Sequence, residues 1–445
     1  MNMKRPLAFL LAAGMTLGLA ACGGGSSSSS SASGSGSTDG SSVTLDLWSF
    51  NIGGFTEASN WDSILTAFNQ QYPDITVNVT PVNYQDGDQK LTSAITSGSG
   101  PDIIFEGPER IVGNYAREGL MVDLSDLWTE NGSDIAEGIS SVSQLDGAYY
   151  MFPLSVAAHC MAINYEVFEA AGALQYIDEE TRTWTTDDFV AAMEAIKTAI
   201  DNGTVSVATP GIIYCGDQGG DQGTRALVNN LYSDYYVNED GTSYNINSAN
   251  NVKALTLLKD MVDNGSLSAN ASYAASQELQ AFANQTCAIS LCWNYSNYTQ
   301  YAEQTQFTPF AMAFPSDDGQ PELEMAGPYG FGVFDKGDEA KIEAAKTFIN
   351  FVCNDQTVGT EAVKTTGFFP VHADWGDVYE GDEDADLRAP FALMSDYLGR
   401  YYNLTGGWTE QRTLWWNMLA QIMTAGADPQ TAADSFVEQA NANIA

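Results

Sequence analysis

Apolar and polar positions alternate along the first well-patterned part of the chain as strand–helix–strand units require. Val43 to Phe50 (VTLDLWSF) alternates with period two, and Trp61 to Tyr72 places apolar residues three and four apart. Alternation returns in Ile75 to Val82 (ITVNVTPV), and a helical pattern at 87–100 precedes the apolar run PDIIFEG at 101–107. Period two predicts strands and a period near 3.6 predicts helices. The sequence therefore predicts a βαβαβ unit.

The rest of the chain continues this mixture. The predicted strands are Met161–Asn164 and Cys287–Trp293, and the predicted helices are Thr185–Ala199, Asn250–Asn264, Tyr273–Asn284 and Glu339–Cys353. Thr185 or Thr186 is the expected N-cap of its helix, because a side-chain oxygen there accepts a free backbone N–H. The C-terminal part is predicted to be mainly helical. This alternation is typical of an α/β protein.

The N-terminus has the pattern of a secretion signal. Lys4 and Arg5 precede an apolar stretch from Pro6 to Leu19, which is shorter than the roughly 20 residues of a membrane span. The sequence Leu19-Ala20-Ala21-Cys22 resembles a bacterial lipobox. We expect residues 1–21 to be a signal peptide and residues 22–42 to be a lipidated Cys22 with a flexible Gly/Ser linker. The alternative is an ordinary signal cleaved nearby, with Cys22 uninvolved.

Composition narrows the classes of function. The 445 residues are enough for two domains, and the formal net charge of −40 disfavours binding to nucleic acid or anionic lipid. Five cysteines follow Cys22 (Cys160, Cys215, Cys287, Cys292 and Cys353). None of their spacings is CxxC, and their pairing stays open, with buried inert thiols the simplest expectation.

Several stretches resemble a known family. The segment SGSGPDIIFEGPERIVGNYAREGLMVDLSDLW at 97–128 is similar to the corresponding part of the extracellular sugar-binding proteins of ABC importers, the maltose-binding family. Further similar stretches follow in the same order, among them QLDGAYYMFPLS, MAINYEVFEAAG, AFANQTCAISLCWNY, MAGPYGFGVF and TTGFFPVHADW. The resemblance runs from about Val43 to the C-terminus. It implies a two-lobed periplasmic-binding-protein-like fold (type II), with a hinge and a ligand cleft between the lobes.

The resemblance also implies a domain division and a function. Residues 43–156 and 312–368 would form the first lobe, and 157–311 and 369–445 the second, with hinge crossings near Ser155–Ala158 and Phe314. The protein would be a monomeric, lipid-anchored substrate-binding protein at the extracellular face of a bacterial membrane. It would deliver a carbohydrate to the permease subunits of an ABC transporter, without catalysis and without a cofactor.

Candidate ligand contacts follow from the same resemblance. Glu109 and Arg110 match an acidic–arginine pair that contacts sugar hydroxyls, whereas Glu106 stands where the maltose binder has a tryptophan. This departure favours a smaller or more polar sugar than maltose. Trp293 matches the main stacking tryptophan of the second lobe. The other expected contacts are Trp48, Asn51, Tyr329, Trp408 and Trp415.

Two other classes of function stay open. A secreted carbohydrate-active hydrolase needs positioned carboxylates, and carboxylates are plentiful here. However, His159 and His372 are the two histidines, so a histidine-based triad or a histidine-rich metal site has little to draw on, and we expect no metal ligands. A binder of another small solute that feeds a sensor would use the same fold.

Overall fold

The computed structural model describes residues 42–216, 221–238, 241–399 and 404–444. The predicted signal peptide, Cys22 and the linker up to residue 41 lie outside these described residues. Within them, no helix combines the length and the apolar character that crossing a membrane requires.

The described chain alternates strands and helices. The strands are β1 (Val43–Phe50), β2 (Ile75–Val82), β3 (Ile103–Glu106), β4 (Gln144–Leu145), β5 (Ala148–Tyr149), β6 (Phe152–Ala158), β7 (Cys160–Asn164), β8 (Ile212–Tyr214), β9 (Ser268–Asn270), β10 (Ile289–Trp293), β11 (Pro309–Met312), β12 (Met325–Val333) and β13 (Phe369–Pro370). The helices are α1 (Asp62–Gln71), α2 (Gly87–Thr96), α3 (Pro108–Arg110), α4 (Ser125–Asn131), α5 (Glu137–Val142), α6 (Tyr165–Ala171), α7 (Thr186–Asp201), α8 (Asp221–Leu231), α9 (Ala249–Asn264), α10 (Ala275–Ala283), α11 (Tyr295–Gln300), α12 (Glu339–Asn354), α13 (Gln356–Thr366), α14 (Ala385–Met394), α15 (Trp408–Ala425) and α16 (Pro429–Ala442).

A six-stranded sheet organises the first lobe. Its strand order is β13-β6-β12-β3-β1-β2. Strand β1 pairs in parallel with β2 and with β3, which confirms the βαβαβ unit predicted from the sequence. Strand β12 comes from far along the chain and pairs antiparallel with both β3 and β6. Parallel strands place their carboxyl ends at one edge of a sheet, which is where ligands bind in such folds.

The second lobe is built on a three-stranded sheet. Strand β7 lies between β10 and β11 and pairs antiparallel with both. Helix α7 begins as predicted, because the hydroxyl of Thr185 accepts the backbone N–H of Asp188 at 3.1 Å.

Buried apolar side chains form two separate clusters, one per lobe. The first extends from Leu45 to Ala157 and resumes from Met325 to Val371. The second extends from Ala158 to Leu323 and resumes from Phe391 to Ala440. The chain therefore passes three times from one core to the other. The five cysteines after Cys22 are free, and four of them are buried.

Both limits of one predicted segment differ from these cores. The resemblance put residues 312–368 in the first lobe, but Met312, Ala313, Phe314 and Leu323 pack in the second core and Val371 packs in the first. The reason is strand β11, whose Met312 pairs with Met161 of β7 and keeps this segment on the second-lobe sheet. The other predicted limits stay a prediction.

Candidate functional site

A cavity of about 390 Å³ opens between the two lobes. Its polar and aromatic lining comprises Asn51, Tyr84, Gln85, Glu109, Arg110, Tyr329 and Phe368 from the first lobe, and His159, Gln222, Ser276, Asn294, Ser296, Trp408 and Arg412 from the second. Asn51 and Tyr84 lie just beyond the carboxyl ends of β1 and β2. The site therefore occupies the sheet edge at which this class of fold places its ligands.

A larger recess, of about 1010 Å³, is lined by other residues, among them Gly399 and Leu404. These two residues border the undescribed positions 400–403. We place the candidate site in the smaller cavity because charged, amide and aromatic side chains of both lobes converge there.

Arg110 is the central charged group of the first-lobe wall. Its Nε and Nη2 donate to the two carboxylate oxygens of Asp88 at 2.6 and 3.0 Å, and its Nη1 donates to Glu106 at 2.9 Å. Glu109 lies 3.5 Å from the same Nη1. Three carboxylates thus surround one guanidinium. Their hydrogen bonds fix its position, and their negative charges balance its positive charge.

Glu106 lies behind Arg110 and is fully buried. Burial and the neighbouring Glu109 raise the pKa of Glu106 to about 7, although Arg110 and the backbone N–H of Gly107 oppose this shift. Burial also raises the pKa of the adjacent Tyr84, with the Glu106 charge as the second cause. Glu106 therefore supports the cavity wall from behind, and burial is the main cause of its raised pKa.

Trp408 contributes an aromatic face from the second lobe. The guanidinium carbon of Arg110 lies 5.1 Å from the centre of its ring, and that of Arg412 lies 4.6 Å away. Arg412 in turn donates through Nε to Asp221 at 3.0 Å. The indole is thus contacted by one cation of each lobe, which is a cation–π arrangement.

A buried ionic cluster lies below Arg412. Asp221 also accepts a hydrogen bond from a second arginine, Arg225. Arg225 in turn forms a bidentate ion pair with Glu324. Burial opposes the charged form of Asp221, but Arg412 and Arg225 overcome this and lower its pKa. Burial and then Arg225 lower the pKa of His159 to about 4, so its imidazole is neutral at pH 7. The second-lobe wall therefore presents a fixed guanidinium and a neutral imidazole.

Three polar atoms at the cavity have no hydrogen-bond partner among the described residues. They are the acceptors Asn51 Oδ1 and Gln222 Oε1 and the donor Trp408 Nε1, and each is shielded from solvent. Buried polar atoms without a partner destabilise a folded protein. Because none of the three atoms is open to the cavity here, a ligand could hydrogen-bond them only after the side chains around them move.

Comparison with known proteins decides the family. The sequence-family model of the bacterial extracellular solute-binding proteins matches residues 63–389 of this chain. This chain belongs to that family. It is similar to a binding protein of Brucella abortus, with 24% identity over 86% of this chain and 89% of that one. It is also similar to an arabinooligosaccharide-binding protein of Bacillus subtilis, with 23% identity over 74% of this chain and 73% of the other.

A solved structure shows the same fold. An ABC substrate-binding protein of Listeria monocytogenes, in complex with cycloalternan, superposes with a TM-score of 0.71 at 20% identity. The match covers 90% of this chain and 98% of that one. The two-lobed periplasmic-binding-protein-like fold and the family inferred from the sequence are confirmed.

Five of the nine predicted contacts of this solute-binding protein lie at the cavity. They are Asn51, Glu109, Arg110, Tyr329 and Trp408. Glu106 is one layer behind them, in contact with Arg110. Trp48 is half-buried and packs against the first core, outside the cavity lining. The binding roles of all nine residues stay predictions.

The structure places Trp293 and Trp415 in the second core. Trp293 is 1% exposed, and its ring packs against Phe282, Tyr298 and Tyr301. Trp415 is fully buried and donates through Nε1 to the hydroxyl of Thr224 at 2.9 Å. Neither ring lines the cavity in this conformation, so packing within the lobe accounts for both of them here.

Several cavity residues were not identified from the sequence. Arg412 could have been predicted from the sequence, because it lies one helical turn after Trp408 and therefore on the same face of α15. Gln222 lies within the glycine-rich stretch CGDQGGDQGTR at 215–225, a predicted second-lobe loop in which Asp217 and Gln218, rather than Gln222, were the residues expected to reach the cleft. Asp217 and Gln218 lie outside the described residues. Ser276 and Phe368 carry no local signal of their own.

Proposed function

We propose that this solute-binding protein captures a neutral sugar or short oligosaccharide between its lobes and delivers it to the permease of an ABC importer. The observation that carries the proposal is the convergence of amide and aromatic side chains from both lobes, among them Asn51, Gln222 and Trp408, at one cavity. A sugar hydroxyl donates and accepts, so a polyol can satisfy acceptors and a donor together. Trp408 also lines the cavity, and an indole ring can pack against the C–H face of a pyranose.

The charges of the cavity favour a neutral ligand. Arg110 is surrounded by Asp88, Glu106 and Glu109, and Arg412 is paired with Asp221. Neither guanidinium has an excess positive charge to offer a carboxylate or phosphate ligand, and the whole chain has a formal charge of −40.

Two of the similar proteins fit this class of ligand. One is named for arabinooligosaccharide binding, and the Listeria structure contains the cyclic oligosaccharide cycloalternan. The cavity of about 390 Å³ is near the lower end of the 300–1,000 Å³ range of small-molecule sites. This size suits a short ligand rather than a long chain.

A thermal-shift panel of mono- and oligosaccharides tests the proposal. A sugar that binds the folded protein raises the melting temperature by mass action. Titration calorimetry with the sugar found should then show at least tenfold weaker binding to Gln222→Ala, whereas Gln70→Ala, at an exposed amide of α1, keeps wild-type affinity. If anionic solutes shift the melting temperature and no sugar does, the proposal is wrong.

The proposal includes attachment through a lipid on Cys22 and a monomeric state. Cys22→Ala should move the protein from the membrane fraction to the soluble fraction, or leave it unprocessed, and abolish labelling by a lipid precursor. Equal fractionation of the two proteins, with neither labelled, would leave the ligand-binding part of the proposal intact and remove the anchor.

A further inference from the structure

A cluster of metal-ligating side chains lies in the first lobe, apart from the cavity residues. Asp134, His372 and Asp374 bring one ligand atom each to within 4.8 Å of one another. The Nδ1 atom of His372 lies 2.9 and 3.0 Å from the two carboxylate oxygens of Asp134. Ligands about 2.1 Å from one Zn²⁺ ion lie on the order of 3–4 Å apart. Small side-chain rotations would therefore bring these three atoms onto one ion.

The histidine is held in place from outside the cluster. Its side chain is 6% exposed, and its ring stacks on Trp375 with centres 4.9 Å apart. Its Nε2 lies 3.1 Å from Oδ1 of Asn354. A ligating imidazole characteristically donates its other N–H to an oxygen, which fixes the ring and makes the ligating nitrogen more basic.

A chain of amides determines which atom Asn354 presents to the histidine. Asn131 Nδ2 donates to the backbone carbonyl of Leu127 at 3.3 Å and to Asn350 Oδ1 at 3.1 Å. Asn350 Oδ1 also accepts Nδ2 of Asn354 at 2.9 Å. Because this chain starts at a backbone carbonyl, Asn354 turns its oxygen to His372. Nε2 then carries the hydrogen, and in the neutral ring the Nδ1 lone pair faces the carboxylates.

The two carboxylates are arranged for a shared cation. Asp374 lies beside Asp134, with a carboxylate oxygen of each within 4.8 Å of the other, and it is exposed to solvent. Two carboxylates in contact repel each other unless a proton or a cation lies between them. The exposed side leaves room for water to complete the coordination.

We propose that Asp134, His372 and Asp374 bind one divalent transition-metal cation. One imidazole with two carboxylates suits an ion such as Zn²⁺ or Mn²⁺. The ion would join the loop after α4 to the segment after β13, where Ile135 and His372 already form an isolated bridge. It would thereby fasten the segment that leaves the first core after Val371.

Zinc titration of the untagged full chain, dialysed against a chelator, tests the proposal. We expect calorimetry to show one Zn²⁺ per chain and the melting temperature to rise with Zn²⁺. Asp374→Asn, at an exposed position, should weaken this binding at least tenfold. Asp62→Asn, an exposed acid in α1 of the same lobe, is the matched control and should bind as the wild type does.

The variant Asn354→Ala tests whether the orientation of His372, and not only the negative charge of the cluster, is needed to bind the ion. It leaves the charge of the cluster unchanged but removes the acceptor of Nε2, and it should weaken Zn²⁺ binding by about 10- to 100-fold. The proposal is overturned if the wild type shows no saturable 1:1 binding. It is equally overturned if Asp374→Asn and Asp62→Asn bind Zn²⁺ alike, since the ion would then sit among the many other surface acids.

Discussion

Two tryptophans of the second lobe have different surroundings, and their substitution should separate binding from stability. Trp293→Ala empties a space enclosed by Phe282, Tyr298 and Tyr301. It should lower the free energy of unfolding by about 3–5 kcal/mol. Trp408→Ala removes an indole that lines the cavity and should lower sugar affinity at least tenfold, whereas Trp293→Ala should leave the affinity of the folded protein unchanged.

Chemical denaturation and calorimetry on both variants measure these effects. The opposite result, in which Trp293→Ala retains its stability and loses the sugar, would restore Trp293 as the stacking residue predicted from the sequence and remove that role from Trp408.

Glu278 makes stability depend on pH. It is fully buried under β10, where it accepts hydrogen bonds from Ser290 Oγ and the backbone N–H of Leu291. Burial raises its pKa from 4.5 to about 8. Folding therefore takes up a proton between these two values, and its contribution to stability is complete below pH 4.5 and lost as pH rises to about 8.

Glu278→Gln should remove this dependence. The variant should be more stable than the wild type at pH 9 and close to it at pH 4.5, with the difference growing by at most about 1.4 kcal/mol per pH unit. Unfolding in denaturant across this pH range measures the difference. Parallel stability–pH curves for the two proteins would show that Glu278 titrates normally.

Single residues were predictable where local chemistry decides their role. Glu109, Arg110 and Asn51 follow strands of the βαβαβ unit, so their place at the sheet edge follows from local sequence. Trp293 was different. Its strand ends where predicted, but the rings that cover it come from α10 and from the segment after β10, which strand periodicity does not reveal.

At the scale of elements, α15 carries both cavity and core contacts, and its first turn depends on Gly407. This residue precedes Trp408 with φ of +71°, and a Cβ there would lie 2.8 Å from the carbonyl oxygen of Asn443. Gly407→Ala should therefore cost more than the roughly 1–2 kcal/mol of a left-handed alanine, and should displace Trp408 and weaken sugar binding.

Gly426→Ala is the matched control at the other end of α15. Its φ is +74°, and nothing lies within 4 Å of the added Cβ. It should show the left-handed cost alone and retain wild-type affinity. If calorimetry finds equal affinities for both variants, the start of α15 does not position the cavity residues.

Helices and strands with strong periodicity were predicted well. Helix α9 was expected from Asn250 and begins at Ala249, and α12 was expected to end at Cys353 and ends at Asn354. The position of β12 between β3 and β6 was not predictable from periodicity, because strand order depends on pairing between distant segments.

At the scale of the whole molecule, a ligand held by both walls should close the lobes. Asn51 of one wall and Gln222 of the other both line the cavity, so a sugar that contacts both walls favours the state in which they lie close together. Small-angle scattering at saturating sugar should show a smaller radius of gyration than without sugar. An unchanged radius would mean that the sugar binds without lobe movement.

The three passages of the chain between the two cores also determine when each lobe can fold during synthesis. A growing chain that has reached Leu323 lacks β12, which joins the two halves of the first-lobe sheet. The second core still awaits α15 and α16, whose Trp415 and Phe436 belong to it. Neither core is complete in the part of the chain before Met325. Synthesis must therefore pass Val371 before the first core has all its residues, and a chain cut off before α16 leaves the second core incomplete.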